Sequence, residues 1–109
     1  MPFSPWMGSL TATNVAQQLS ALLAAKASAS IQLPTRCQLI RIEFDLNASG
    51  DLYIGNSDVA SNNCGSHLVP TQEKNIFVWD SGLTLTTDWW VLTSAASGQI
   101  NVTIIPAGA

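Results

Sequence analysis

Charged residues are scarce in this 109-residue sequence: they make up 10% of it, against about 25% in typical soluble domains. Hydrophobic residues make up 47%, so the polar surface must consist mainly of serine, threonine, asparagine and glutamine. A weakly charged surface does little to keep copies of a protein apart. We therefore expect a subunit that works inside an assembly. A monomeric sandwich that is merely poor in charge is the alternative.

Positive charge is especially sparse, with four basic residues against seven acidic ones and a net charge of −3. Nucleic acid is not an expected partner, because its binding depends on clustered positive charge. Residues 1–10 contain no basic residue and no continuous apolar run, so we expect no secretory signal. The longest apolar helical stretch, residues 19–25, is far shorter than the roughly 20 residues that cross a bilayer. The sequence therefore predicts a product of the cytoplasm without a membrane partner.

The residues that usually carry chemistry are also few. Two cysteines, Cys37 and Cys64, do not make a disulfide framework, and we expect free thiols, with a bridge between them as the alternative. Cys64 and His67 supply only half of a zinc site, and as a nucleophile and base they lack an orienting partner. The Asp and Asn residues between 51 and 63 do not follow calcium-loop spacing, and no phosphate-binding glycine loop occurs. We predict no catalytic residue, no metal and no cofactor, and no enzyme activity.

The N-terminal quarter is predicted to differ from the rest of the chain. Two prolines near the start argue against regular structure, so residues 1–13 are predicted to form an extended arm, with a frayed terminus as the alternative. Residues 14–27 favour a short helix. Asn14 and Gln17 have capping-box spacing, and apolar residues recur at i, i+4, i+7 and i+8 from Val15. An irregular or β edge segment is the alternative.

Residues 31–105 have the pattern of an all-β body, an antiparallel β-sandwich or jelly roll. The clearest strand, residues 36–46, alternates apolar and polar side chains and is followed by turn residues. This pattern predicts a hairpin with residues 51–54. A second strand–turn–strand unit is predicted between residues 89–92 and 99–105. Short strands broken by turns at regular intervals are typical of a sandwich, so we predict a single domain of this class.

Two of the predicted strands, residues 76–79 and 89–92, are apolar on both faces. One side of a sandwich strand is normally buried and the other is polar where it meets water. A neighbouring subunit, a larger shell or the segment 14–26 must therefore cover the second side. Aromatic residues are favoured where proteins meet. The candidate interface residues are Phe3, Trp6, Met7, Phe77, Trp79, Trp89 and Trp90. The alternatives place all four tryptophans in the core of one molecule, or make them a sugar-stacking platform beside hydrogen-bonding Asp, Asn and Gln side chains.

Four blocks of the sequence together suggest a family. They are LYIGNSDV (residues 52–59), LVP (residues 68–70), WVLTSA (residues 90–95) and GQINVT (residues 98–103). Over residues 31–105 the chain resembles small β-sandwich structural proteins of tailed bacteriophages, in which a strand, a polar loop and an L-x-P block precede a strand–turn–N-V-T hairpin. Thr71 departs from that pattern, since such chains often have glycine after the proline. The resemblance also places residues 17–19 in an early strand.

The resemblance implies a capsid decoration (cement) protein, with a tail or baseplate accessory subunit or a carbohydrate- or receptor-binding module as the alternative. It implies a homo-oligomer, often a trimer, bound to the major capsid protein or another virion protein. The expected location is the capsid surface of the virion, after assembly in the host cytoplasm. Such a subunit would hold neighbouring coat subunits together by burying apolar area across their junction.

Overall fold

The computed structural model describes residues 6–25, 36–70 and 74–107, which form nine strands and one short α-helix. In chain order the elements are β1 (Trp6–Thr13), β2 (Gln17–Gln18), α1 (Leu19–Ala24), β3 (Arg36–Phe44), β4 (Leu52–Gly55), β5 (Ser66–Leu68), β6 (Ile76–Trp79), β7 (Thr84–Leu85), β8 (Trp90–Thr93) and β9 (Ser97–Pro106). A 3₁₀ turn, Thr86–Asp88, connects β7 to the segment before β8.

The strands form two antiparallel sheets that pack face to face. The first sheet has the order β1-β9-β3-β6, and β7 pairs with β3 beyond the end of β6. The second sheet has the order β2-β8-β4-β5. This architecture confirms the predicted all-β, antiparallel β-sandwich.

The core lies between the sheets and is built from alternate residues of each strand, because successive strand side chains point to opposite faces. Its fully buried side chains from the two central strands of the first sheet are Cys37, Ile40, Ile42, Phe44, Ile100, Val102 and Ile104. Leu52, Ile54 and Val91 face them from the second sheet. Complete burial of each such side chain contributes about 1.5–3 kcal/mol. The prediction that alternate apolar side chains of β3 and β9 face the core is therefore confirmed.

The two predicted strand connections are wrong. β3 and β4 do not pair, because β3 lies in the first sheet and β4 in the second. The segment between them turns on Asp45, whose carbonyl accepts from the Ala48 amide at 2.9 Å, and Gly50 has a φ of 78°. Leu46, predicted to continue the buried face, is 64% exposed. The unit formed by β8 and β9 likewise crosses between the sheets, so it is a corner of the sandwich rather than a hairpin.

The prediction of an extended N-terminal arm is also wrong for those of its residues that the structure describes, 6–13. β1 pairs with β9 along its whole length, from Trp6 opposite Ile104 to Thr13 opposite Ser97. Both prolines of this region precede β1, so neither removes a donor from the ladder. Phe3 lies outside the described residues.

The predicted helix is present but much shorter than residues 14–27. α1 has six residues, and Gln18 occupies its N-cap position without a capping side-chain hydrogen bond, so Asn14 is not the cap. Gln17 and Gln18 are instead held in β2, opposite Val91 and Trp90. The Leu19 amide then donates to the Trp89 carbonyl at 2.8 Å. Among the described residues, no helix is long and apolar enough to span a membrane.

Candidate functional site

The predicted interface residues do not form one patch. Trp6 and Met7 lie on β1, at one edge of the first sheet, whereas Phe77 and Trp79 lie on β6, at the opposite edge. Trp90 lies on β8 in the second sheet. Trp6 packs against the core and Met7 is 68% exposed. Of the predicted interface residues that lie in the described ranges, the structure therefore brings together only Phe77, Trp79 and Trp89.

These three rings form a contiguous cluster, here called the aromatic cluster. The ring centroids of Phe77 and Trp89 are 5.4 Å apart, and those of Trp79 and Trp89 are also 5.4 Å apart in an edge-to-face arrangement. Such centroid distances and tilts are those of direct aromatic contact. All three rings are half-buried and pack against the core.

The register of β6 against β3 orients two members of the cluster. Phe77 lies opposite Ile42 and Trp79 opposite Ile40. Directly opposed residues of an antiparallel pair share a face of the sheet, and both isoleucines are fully buried. Phe77 and Trp79 therefore point between the sheets, which favours the alternative that they belong to the chain's own interior. An interface role for these half-buried rings stays a prediction.

Hydrogen bonds fix the two indoles. The Trp79 Nε1–H donates to the Gly82 carbonyl at 3.2 Å, and the Trp89 Nε1–H donates to the Thr84 hydroxyl at 2.9 Å. Both donors are used within the molecule. The surfaces that the indoles offer to a ligand are therefore their apolar faces and edges rather than their N–H groups.

The aromatic cluster forms one wall of an open cleft of about 470 Å³ between the edges of the two sheets. We call this the aromatic cleft. The opposite wall comes from the end of β4 and the loop that follows it, including Ile54, Asn56 and Cys64. Polar side chains that also line the cleft are Asn56, Asp58, Asn63 and Asp88. An apolar wall with a few convergent polar groups is the usual composition of a small-molecule site.

The loop between β4 and β5 is folded back on itself, which positions the polar side of the cleft. The Val59 amide donates to the Asn56 carbonyl at 2.9 Å, and Ala60 and Asn63 exchange backbone hydrogen bonds of 3.0 Å. The Asn63 side-chain amide donates to the Asp58 carbonyl at 3.1 Å. Val59 is only 6% exposed and anchors the loop. The loop is therefore an ordered wall of the cleft.

A separate apolar surface lies on the outer side of β6 and β7. Its members are Ile76, Val78, Leu83 and Leu85, exposed by 46%, 47%, 62% and 41%. Within the described ranges, β6 is hydrogen-bonded along one side only, to β3. We call this surface the β6–β7 edge. The sequence showed that both faces of β6 are apolar, but our prediction chose Phe77 and Trp79 as the exposed pair and overlooked Ile76 and Val78.

The other strand predicted to be apolar on both faces, residues 89–92, corresponds to β8 and has its second apolar side on the outer face of the second sheet. Val91 is buried in the core, while Trp90 and Leu92 lie half-buried on the opposite face. Leu92 pairs with Tyr53, whose ring lies 4.8 Å from that of His67. Side chains of this sheet thus cover one another on its outer face.

His67 contacts Asp51 through a 2.8 Å bond between Nε2 and Oδ2. Next to this pair, burial raises the pKa of Tyr53, and the negative charges of Asp51 and Cys64 raise it further. Among the residues described, no group of three or more His, Cys, Asp and Glu side chains is placed to hold a metal ion.

Both cysteines are free thiols, so the alternative of a bridge between them is not realised. Cys64 lines the aromatic cleft, whereas Cys37 is fully buried with its Sγ 3.5 Å from the Thr84 carbonyl. Burial raises the pKa of the Cys37 thiol. Cys37 is therefore a core residue that stays protonated.

Comparison of the chain with protein-family models, with curated proteins and with solved structures gives no significant match.

Proposed function

We propose that this chain is a structural subunit of a virion, of the capsid decoration type, which associates with copies of itself and with coat subunits. The observation that carries the proposal is the exposed, apolar β6–β7 edge. Monomeric proteins usually protect a sheet edge with charges, prolines or bulges, because an unprotected edge pairs with other chains. In β6, the four residues from Ile76 to Trp79 carry no charge.

The opposite edge of the same sheet provides an internal contrast. The outward-facing residues of β1 are Met7, Ser9, Thr11 and Thr13, so this edge is mainly polar. On the outer face of the sheet, the Ser9 hydroxyl donates to Asn101 Oδ1 at 2.8 Å, and the Asn101 amide donates at 3.3 Å to Glu43, which lies opposite Ile76 of β6. The two edges therefore differ in chemistry, and the proposal assigns association to the apolar one.

The docking mode follows from the size of the edge. Four strand residues extend about 13 Å, at roughly 3.3 Å per residue. Stable protein interfaces bury about 1,200–2,000 Å² in total, more than this strand alone provides. A neighbouring subunit must therefore also cover Leu83 and Leu85. We take the oligomer to be a trimer, as the family resemblance implies, so that several such modest contacts act together and give avidity.

Particle incorporation tests this function. Particles purified from cells that make the protein are examined by mass spectrometry, and a labelled copy is tested for binding to them. Val78→Lys places a charge in the β6–β7 edge, and Thr11→Lys places the same charge on the exposed outer side of β1. We expect wild type and Thr11→Lys in the particle fraction and at least about tenfold less Val78→Lys, since the desolvation of one buried charge exceeds 1.4 kcal/mol. Absence of the wild-type protein from particles would refute the function, and equal incorporation of Val78→Lys would refute the role of the edge.

A further inference from the structure

We propose that the aromatic cleft binds an uncharged saccharide, with a sugar ring stacked on the aromatic cluster. The cleft volume of about 470 Å³ lies within the range of about 300–1,000 Å³ that is usual for small-molecule sites. Its lining combines the two kinds of surface that a sugar ring has. A sugar presents an apolar C–H surface on its faces and hydroxyl groups around its edge, and the cleft is lined by aromatic rings together with side-chain amides and carboxylates.

The geometry of the aromatic cluster decides how a ligand would meet it. With centroids 5.4 Å apart, Trp89 is in contact with both Phe77 and Trp79, and no ligand atom fits between the rings. An aromatic cage for a quaternary ammonium group surrounds the cation with separated rings. The closed packing here excludes such a cage. Because the planes of Phe77 and Trp79 are inclined by 55° and 62° to that of Trp89, a sugar ring would stack on the face of one ring and touch the edge of a neighbour.

The polar residues of the cleft select against charged anions. Among the described residues that line it, none is Lys, Arg or His, while Asp58 and Asp88 contribute carboxylates. A phosphate or sulfate group would be repelled there. Sugar hydroxyls, in contrast, donate to carboxylates, and the side-chain amides of Asn56 and Asn63 both donate and accept.

The saccharide site and the β6–β7 edge use opposite faces of one strand. Phe77 and Trp79 point toward the cleft, whereas Ile76 and Val78 point outward. The inference therefore does not depend on the virion proposal, and either can fail while the other stands. It also corrects the expected platform of four tryptophans, because Trp6 and Trp90 lie away from this cleft.

Nuclear magnetic resonance of the full chain with ¹⁵N-labelled indoles tests the inference directly. The chain has four tryptophans, so Trp6 and Trp90 serve as internal controls for Trp79 and Trp89. The probes are maltotriose, cellotriose and tri-N-acetylchitotriose, each titrated to about 10 mM, ten times a weak millimolar dissociation constant. We expect at least one probe to shift the Trp79 and Trp89 signals in a saturable manner while the two control signals stay in place.

Variants at exposed acidic residues separate binding from folding. Asp88→Ala removes a carboxylate that lines the cleft, and Asp80→Ala removes an exposed carboxylate that does not line it. We expect Asp88→Ala to weaken binding about tenfold, as the loss of a hydrogen bond to a charged group does, and Asp80→Ala to leave it unchanged. Failure of all three probes to shift Trp79 or Trp89 would overturn the inference. So would a shift confined to Trp6 or Trp90, or a response of the cleft to choline alone.

Discussion

At the residue scale, two buried side chains that ionise at alkaline pH, Cys37 and Tyr53, should make the free energy of unfolding fall as the pH rises. Burial raises the pKa of Cys37 above 9.0, and burial with the charges of Asp51 and Cys64 raises that of Tyr53 above 10.0. The folded chain therefore retains protons that the unfolded chain releases at those ordinary values. Both contributions are fully present below pH 9.0 and are lost as the pH rises through the folded-state values.

We accordingly expect the contribution of these two groups to the free energy of unfolding to be constant below about pH 9 and to fall above it, by at most about 1.4 kcal/mol per pH unit for each group. Denaturant titrations across this range measure the fall. Tyr53 is the only tyrosine, so ultraviolet absorbance of the phenolate reports its ionisation alone. Tyr53→Phe should lose stability less steeply above pH 10.0, where the tyrosine would ionise in the unfolded chain. An equally steep loss in Tyr53→Phe and wild type would contradict this account.

At the element scale, the first residues of β9 depend on a residue without a side chain, Gly98. A Cβ atom at Gly98 would lie 2.7 Å from Cε1 and 3.0 Å from Cζ of Phe44, whose ring is fully buried. A distance below 3.0 Å means that the ring or the strand must shift to admit the Cβ atom. We expect Gly98→Ala to lower the free energy of unfolding by about 1–3 kcal/mol, the usual cost of overpacking a core.

Gly65→Ala is the matched control for this substitution. A Cβ atom there would meet the Ile54 carbonyl oxygen at 3.5 Å, an ordinary contact. Urea denaturation of both variants should show a lowered midpoint for Gly98→Ala alone, with an unchanged dependence on denaturant concentration. Equal midpoints for the two variants would mean that the Phe44 ring does not confine β9 at this point.

The strands also show what could be predicted from the sequence and what could not. Alternation correctly identified the inward faces of β3 and β9, because a face is decided by local spacing. The sheet to which each strand belongs was predicted wrongly. The turn at Gly50 has the expected positive φ but leads across to the other sheet, and that outcome depends on the pairing of β3 with the distant β9. A local turn signal does not distinguish a hairpin from a corner.

The same limit applies to the candidate site. Both faces of β6 are apolar, so its alternation did not indicate which pair points inward. The register with Ile40 and Ile42 decides that Phe77 and Trp79 do. The aromatic cleft combines residues 54–66 with residues 77–89, and no local pattern connects them. Only the presence of tryptophans together with hydrogen-bonding Asp and Asn side chains pointed to a ligand.

At the scale of the whole molecule, the many apolar residues fall into two groups. Those of the aromatic cluster and of the outer face of the second sheet pack against one another and are partly buried. Those of the β6–β7 edge stay exposed. Among the described residues β6 pairs with β3 alone, so its edge combines apolar side chains with one side of the strand that has no strand partner there, and association through this edge stays our proposal.

The oligomeric mass of the purified protein in solution tests this central claim most directly. Sedimentation equilibrium of wild type, Val78→Lys and Thr11→Lys should give three times the chain mass for wild type and Thr11→Lys, and the mass of a single folded chain for Val78→Lys. Circular dichroism of the same samples verifies that the sandwich is intact. A wild-type protein that stays monomeric at every concentration, or a Val78→Lys variant that associates as wild type does, would contradict the account.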